Sequence, residues 1–248
     1  MLDTIPFEKK EFHVHKEFSG LTRIFHWIRA FSIFLLIATG FYIAYPFLHA
    51  IGSYQVVTVG NPEIASNNVN AFVGYLNAYM RSFHIILGFC LIAISFFRVY
   101  LFFFDKESKP ERTSFRQAIS PKCWIDQIKA YLFIGKHPHI DGAYNPLQFA
   151  TYFLLAILVL LISLSGIVLF YNSYDDGLGA VCKVLFMWFE KMCGGLSNVR
   201  NLHHILTWAF MIFIPVHIYM AVWNSIKYPN GGVDAIVSGM RYTDDVKV

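Results

Sequence analysis

The stretch LHHILTWAFMIFIPVHIYMAVW, Leu202–Trp223, contains no charged side chain and sets two histidines, His203 and His217, fourteen positions apart. A run this long and apolar predicts an α-helix that crosses a hydrocarbon layer about 30 Å thick. At 3.6 residues per turn, fourteen positions return the second imidazole to within about 40° of the first, about 21 Å further along the axis. One helix therefore offers two imidazoles on one face, near opposite sides of a bilayer. That arrangement suits two metal centres stacked across a membrane.

Working outward, 56% of the 248 residues are hydrophobic and only 15% are charged, a balance that excludes an ordinary soluble domain. Four stretches are long enough to span, at about 21–45, 80–104, 146–171 and 200–224. Helices are the only elements of these lengths that satisfy their own backbone in lipid. The expected fold class is all-α, a bundle of four transmembrane helices forming a single membrane domain over residues 1–248. The polar start, Met1–Ser19, followed by a run of spanning length does not resemble a cleaved secretory signal.

Orientation follows from the basic residues, because short cytoplasmic connections carry the excess of Lys and Arg. Segment 46–79 has none, and segment 172–199 has only Lys183 and Lys191. Loop 105–145, in contrast, carries Lys106, Lys109, Arg112, Arg116, Lys122, Lys129 and Lys136, and the N-terminal segment adds Lys9, Lys10 and Lys16. The loop and both termini are accordingly expected in the cytoplasm, with 46–79 and 172–199 in the periplasm. This bias accounts for the net charge of +4 without a nucleic-acid partner.

Given that orientation, each intramembrane histidine acquires a depth. His84 and His203 fall near the outer surface, His26 and His217 near the inner one. Two bis-histidine sites at two depths is the arrangement of a dihaem b-type cytochrome. Neutral imidazoles are suitable axial ligands, and a pair of them leaves no open position on the iron, which favours electron transfer over oxygen chemistry. The neighbouring His204 is thirteen residues from His217, a rotation of about 220°, so His203 is the preferred outer ligand. Pro215 can shift that phase by a fraction of a turn.

Three arginines keep a regular distance from these histidines: Arg23, Arg81 and Arg200 precede His26, His84 and His203 by three. Each shares a helix face with its histidine, one turn nearer the surface, where a guanidinium suits a haem propionate. Snorkelling at helix ends explains them equally. Gly40, fourteen after His26, and Gly88, one turn past His84, leave gaps where a flat macrocycle can approach the backbone. Ordinary small-residue packing of membrane helices is the alternative.

Arg23-Ile24-Phe25-His26-Trp27 with Thr39-Gly40, and His203-His204-Ile205 leading through Trp208 and Phe213 to His217-Ile218-Tyr219, resemble the two signature segments of the b-type cytochrome subunit of membrane-bound nickel–iron hydrogenases. The membrane subunit of formate dehydrogenase shares the four-helix plan. The resemblance implies axial ligands at His26, His84, His203 and His217, two haem b groups, and a location in the bacterial cytoplasmic (inner) membrane. It implies partners too: a periplasmic iron–sulfur small subunit and a nickel–iron large subunit, with paired complexes in some assemblies. Electrons from hydrogen would pass to a membrane quinone, with menaquinone expected, and the chain would carry no hydrogen chemistry or catalytic residue of its own. The cytochrome b subunit of a formate dehydrogenase or another anaerobic oxidoreductase is the nearest rival. A haem-free anchor or transporter is the rival of another class.

Tyr144-Asn145-Pro146-Leu147-Gln148 resembles a stretch bordering the quinone in the formate dehydrogenase relative, which makes Asn145 and Gln148 candidate donors to a quinone carbonyl. The same residues also read as an ordinary helix start with Pro in the first turn. His13, His15, His137 and His139 lie in cytoplasmic segments and read as solvated, and His49 has no level-matched partner. The four cysteines show neither a covalent-haem motif nor zinc spacing. Cys182 and Cys193 share the oxidising side, where a disulfide is conceivable, but if Val181–Met192 is a straight helix on the outer surface they stand about 16 Å apart, too far to bridge. That helix reads either as a docking platform or as an interfacial anchor.

Overall fold

The computed structural model describes residues 13–46, 63–132, 134, 144–227 and 232–243. His49, His137 and His139 lie outside them. The elements are β1 (His13–Lys16), α1 (Gly20–Ala44), α2 (Glu63–Phe104), a 3₁₀ turn (Lys106–Ser108), α3 (Lys109–Ala118), α4 (Pro121–Tyr131), α5 (Pro146–Tyr171), α6 (Gly177–Cys193), α7 (Leu196–Lys227), α8 (Gly232–Ser238) and β2 (Met240–Thr243). Among the described residues, four helices are long and apolar enough to cross a membrane: Gly20–Ala44, Val73–Phe104, Pro146–Tyr171 and Leu196–Trp223. Their surfaces support that setting. Phe96, Phe104, Ile205 and Ile212 are mostly exposed, while Ser32, Thr39 and Ser165 are buried. Lipid removes the hydrophobic drive between helices, so small and hydroxylated residues line the contacts and large apolar ones face outward.

Helix boundaries follow local chemistry more than hydropathy. Ser19 begins α1 by accepting the Thr22 amide on Oγ at 3.1 Å, a standard N-cap. Asn145 and Gln148 form a reciprocal capping box at α5: Asn145 Oδ1 accepts the Gln148 amide at 2.8 Å, and Gln148 Oε1 accepts the Asn145 amide at 3.2 Å. Helix α2 begins at Glu63, well before the apolar run expected from about 80, because no proline interrupts the intervening segment. Helix α6 ends at Gly194, whose φ of 80° is the left-handed C-terminal stop that glycine adopts at little cost. The stretch 105–145, read as a loop, carries the 3₁₀ turn, α3 and α4.

The chain divides into two compact units. One comprises Met1–His26, Arg98–Ile157 and Ala209–Val248. In it β1 and β2 pair antiparallel, from His13 opposite Thr243 to Lys16 opposite Met240, so the segments flanking the first and last spans lie side by side. Gly239, at φ 83°, is the hub: its carbonyl accepts the Glu17 amide at 2.8 Å, and a Cβ there would stand 3.0 Å from the Phe18 carbonyl oxygen. Arg23 Nη1 donates to the Val237 carbonyl beside it. Arg98 forms an ion pair with the buried Glu111, and Arg112 donates to the Phe102 and Asp105 carbonyls at 2.6 and 2.9 Å, satisfying the end of α2.

The other unit comprises Trp27–Phe97 and Leu158–Trp208. Its core is Val168 from α5, Phe189 from α6 and Val199 from α7, flanked by Phe186, Cys193 and Leu202. One face of α6 is therefore packed into the bundle, while Leu178, Val181, Leu185, Trp188 and Met192 remain exposed. Cys182 and Cys193 are both free thiols.

Gly239→Val should destabilise the protein by about 2 kcal/mol or more, since a β-branched residue is strained at positive φ and meets the Phe18 carbonyl. Thermal unfolding in detergent checks this; an unchanged midpoint would contradict the role given to the glycine.

Candidate metal-cofactor site

All four spans contribute to one cluster in the second unit: Thr39 and Gly40 from α1, His84 from α2, Ser165 and Gly166 from α5, and His203 from α7. The His84 and His203 rings have centroids 6.4 Å apart with planes at 65°. Thr39 Oγ1 lies 2.9 Å from His84 Nδ1, and Ser165 Oγ lies 2.8 Å from His203 Nδ1. Gly40 admits the first ring, because a Cβ there would stand 3.2 Å from His84 Cε1; at Gly166 the corresponding distance to His203 Cε1 is 3.5 Å. Phe41 and Trp208 meet edge to face at 5.5 Å in the same unit.

The planes of the two rings cross at 65°, edge to face rather than stacked, and their separation is also compatible with a metal between them. With about 2.0 Å per metal–nitrogen bond and about 1.2 Å from ring centre to nitrogen, a metal held in line between two imidazoles sets their centroids about 6.4 Å apart. The spacing therefore fits one metal ion with an imidazole on each side. Among the described residues, no three His, Cys, Asp or Glu side chains gather as a metal cluster. A planar macrocycle supplying the remaining ligands fits two lone imidazoles better than a structural zinc does.

In the first unit, His26 on α1 and His217 on α7 are both half-buried. His217 is framed by aromatic rings: Phe213 stacks on it at 5.5 Å and 12°, and Tyr152 meets it edge-on at 6.0 Å. Tyr152 in turn meets Tyr144 at 4.9 Å. Desolvation first, and the Glu111 carboxylate next, push the Tyr144 phenol well above its usual value near 10, so it remains a neutral hydrogen-bonding group.

Comparison with known proteins decides the family. The family model described as prokaryotic cytochrome b561 matches residues 17–239. The chain belongs to this family. Relatives include the "Probable Ni/Fe-hydrogenase B-type cytochrome subunit" of Azotobacter vinelandii, 29% identical over 90% of this chain and 86% of that one. The protein of the same title from Rhizobium leguminosarum bv. viciae is 27% identical, over 90% of this chain and 87% of its own. The "Probable Ni/Fe-hydrogenase 1 B-type cytochrome subunit" of Escherichia coli K12 is 23% identical, over 92% and 90%. The family is one of b-type cytochromes and implies haem b, and with four apolar spans among the described residues the chain is an integral membrane protein.

Against the sequence expectations, the structure brings His84 and His203 together, leaves His204 exposed, and sets Gly40 beside the His84 ring. Around Gly88, no described atom lies within 4 Å of where a Cβ would stand. Arg81 and Arg200 are exposed, one turn from their histidines, whereas Arg23 is engaged by the C-terminal segment. The side-chain oxygens of Asn145 and Gln148 serve the α5 cap. Ser165 and Gly166 were not anticipated. Their sequence signal is a hydroxyl–glycine dipeptide in mid-span, present also at Thr39-Gly40.

Gly40→Val should displace the His84 imidazole and lower the haem-to-chain ratio, read as the pyridine haemochrome. Gly74→Ala, in open space on α2, the helix of His84, should leave it unchanged. Equal haem content in both variants would contradict the steric role of Gly40.

Proposed function

We propose that this chain is the dihaem cytochrome b subunit of a nickel–iron hydrogenase, passing electrons from a periplasmic iron–sulfur partner to membrane quinone and anchoring the complex. The observation that carries the reading is the His84–His203 ring separation, which suits an iron between two imidazoles. The family match and the relatives named as hydrogenase cytochrome subunits support the partner. Bound haem supplies one-electron stations, and bis-imidazole ligation suits them because it leaves no iron position for other ligands.

The chain's own residues hold and insulate those stations. His84 and His203 would be the outer axial ligands, His26 and His217 the inner ones. Arg81 and Arg200 would meet outer propionates, and the open space at Gly88 would accept the edge of a macrocycle. Arg23 would serve an inner propionate only by sharing its guanidinium with the Val237 carbonyl. Quinone, menaquinone in our reading, would lie near the start of α5. Gln148 and Asn145 cap the helix there through their oxygens, and their side-chain amides would be the donors to a quinone carbonyl.

Both termini would face the cytoplasm and the membrane would be the bacterial inner membrane, a reading supported by the basic loop 105–145 and the pairing of β1 with β2. The partners would be the hydrogenase small and large subunits, and pairing of complexes fits the same assembly.

His203→Ala should remove one of two haems and block electron entry from the hydrogenase dimer, while His204→Ala keeps both. Full haem content in the first variant would overturn the outer site. His217→Ala should abolish quinone reduction while the outer station still accepts electrons; retained quinone reduction would overturn the inner site. Recovery of nickel with the purified complex tests the partner.

A further inference from the structure

We propose that Thr39 and Ser165 are positioning residues for the outer histidine pair, each fixing its imidazole's proton on Nδ1 and leaving the Nε2 lone pair for the iron. The inference rests on the dihaem reading above.

Proton counting at two hydroxyls carries it. Thr39 Oγ1 has one hydrogen, and it donates that hydrogen to the Leu35 carbonyl at 2.7 Å, one turn back along α1. Toward His84 Nδ1, at 2.9 Å, the oxygen can then only accept. Ser165 repeats the arrangement on α5, donating to the Ile162 carbonyl at 2.9 Å and accepting from His203 Nδ1 at 2.8 Å. With each hydroxyl hydrogen committed to a carbonyl, Nδ1 is assigned the ring hydrogen; the Leu36 and Ile162 backbone carbonyls also hydrogen-bond the His84 and His203 rings, and a neutral ring with its hydrogen on Nδ1 is left with a lone pair on Nε2 alone.

A back-bonded hydroxyl in an apolar helix is ordinary by itself. Ser95 donates to the Leu91 carbonyl at 2.7 Å in the same helix as His84. What distinguishes Thr39 and Ser165 is the second bond, to an imidazole, made twice by different helices. Each hydroxyl is followed by a glycine against the Cε1 edge of the same ring: a Cβ at Gly40 would press on His84 at 3.2 Å, whereas one at Gly166 would make ordinary contact with His203 at 3.5 Å. At Thr39-Gly40 one dipeptide therefore sets both the tautomer and the seat of one ring.

Two consequences follow. An N–H···O bond behind a ligating histidine raises the electron donation of the ring and restrains its rotation. The first favours ferric iron and lowers the midpoint potential; the second holds the two ring planes at their crossed angle of 65°. The hydroxyls need not touch the cofactor to act on it.

The test uses the purified full-length protein carrying both haems, with Thr39→Val, Thr39→Ser and Ser165→Ala, and with Ser95→Ala as the control. Redox titration of the α-band and the low-spin ferric EPR spectrum are the readouts. Thr39→Val and Ser165→Ala should each raise the potential of one haem, change the shape of its EPR signal, and speed transfer of that haem to apomyoglobin by about 10- to 100-fold. The second haem should be unchanged, Thr39→Ser should restore the wild-type values, and Ser95→Ala should match wild type throughout. Unshifted potential and EPR in Ser165→Ala and Thr39→Val, with two haems retained, would overturn this inference and leave the dihaem reading standing. If Thr39→Val does not fold, the Ser165→Ala and Thr39→Ser results decide alone. A wild-type protein that purifies without haem would instead overturn the reading on which the inference rests.

Discussion

A neutral imidazole among apolar helices has one N–H and one lone pair, and in lipid there is no water to serve either. Each needs a partner supplied by the protein or by something the protein binds. At His84 and His203 the N–H partner is a hydroxyl whose own hydrogen is already committed to a helix carbonyl. The remaining lone pairs belong to two rings held 6.4 Å apart, a separation that one metal ion between them would fit. The rest of the unit can be understood as the means of holding those rings in place.

That holding is distributed over all four spans, so no helix can be removed without loss of the site. Helix α1 brings a hydroxyl and a glycine, α5 brings the same pair, and α2 and α7 bring the rings. Packing of α6 against α5 and α7 through Phe189, Val168 and Val199 fixes the end of α7 that carries His203. In the other unit, the paired strands, the Gly239 hub and the Arg98–Glu111 pair fasten the polar segments of the chain together. Breaking that buried ion pair by removing one partner leaves an uncompensated charge, a loss of about 3–5 kcal/mol in comparable settings.

Much of this was legible in the sequence because membrane helices write their length in hydropathy and their faces in a 3.6-residue period. The four spans and the greater burial of His203 over His204 follow from those two regularities. The start of α2 at Glu63 did not follow, because a helix continues past its apolar window wherever nothing breaks it. The small β1–β2 sheet was not legible either, since its strands are far apart in sequence and short. Ser165 was missed for a related reason: a serine within an apolar span has no periodic signature, and only contact with a ring on another helix reveals its use. Asn145 and Gln148 were read two ways, and their capping box is a local interaction that an Asn-x-x-Gln spacing encodes directly.

The central claim is that this chain holds two haem b groups, each between two imidazoles. The most direct measurement is a spectroelectrochemical titration of the purified wild-type protein with its haem-to-chain ratio determined on the same sample. The account predicts two haems per chain, low-spin in both oxidation states, titrating as two one-electron transitions. A ratio of one, or a high-spin spectrum that binds carbon monoxide, would contradict it.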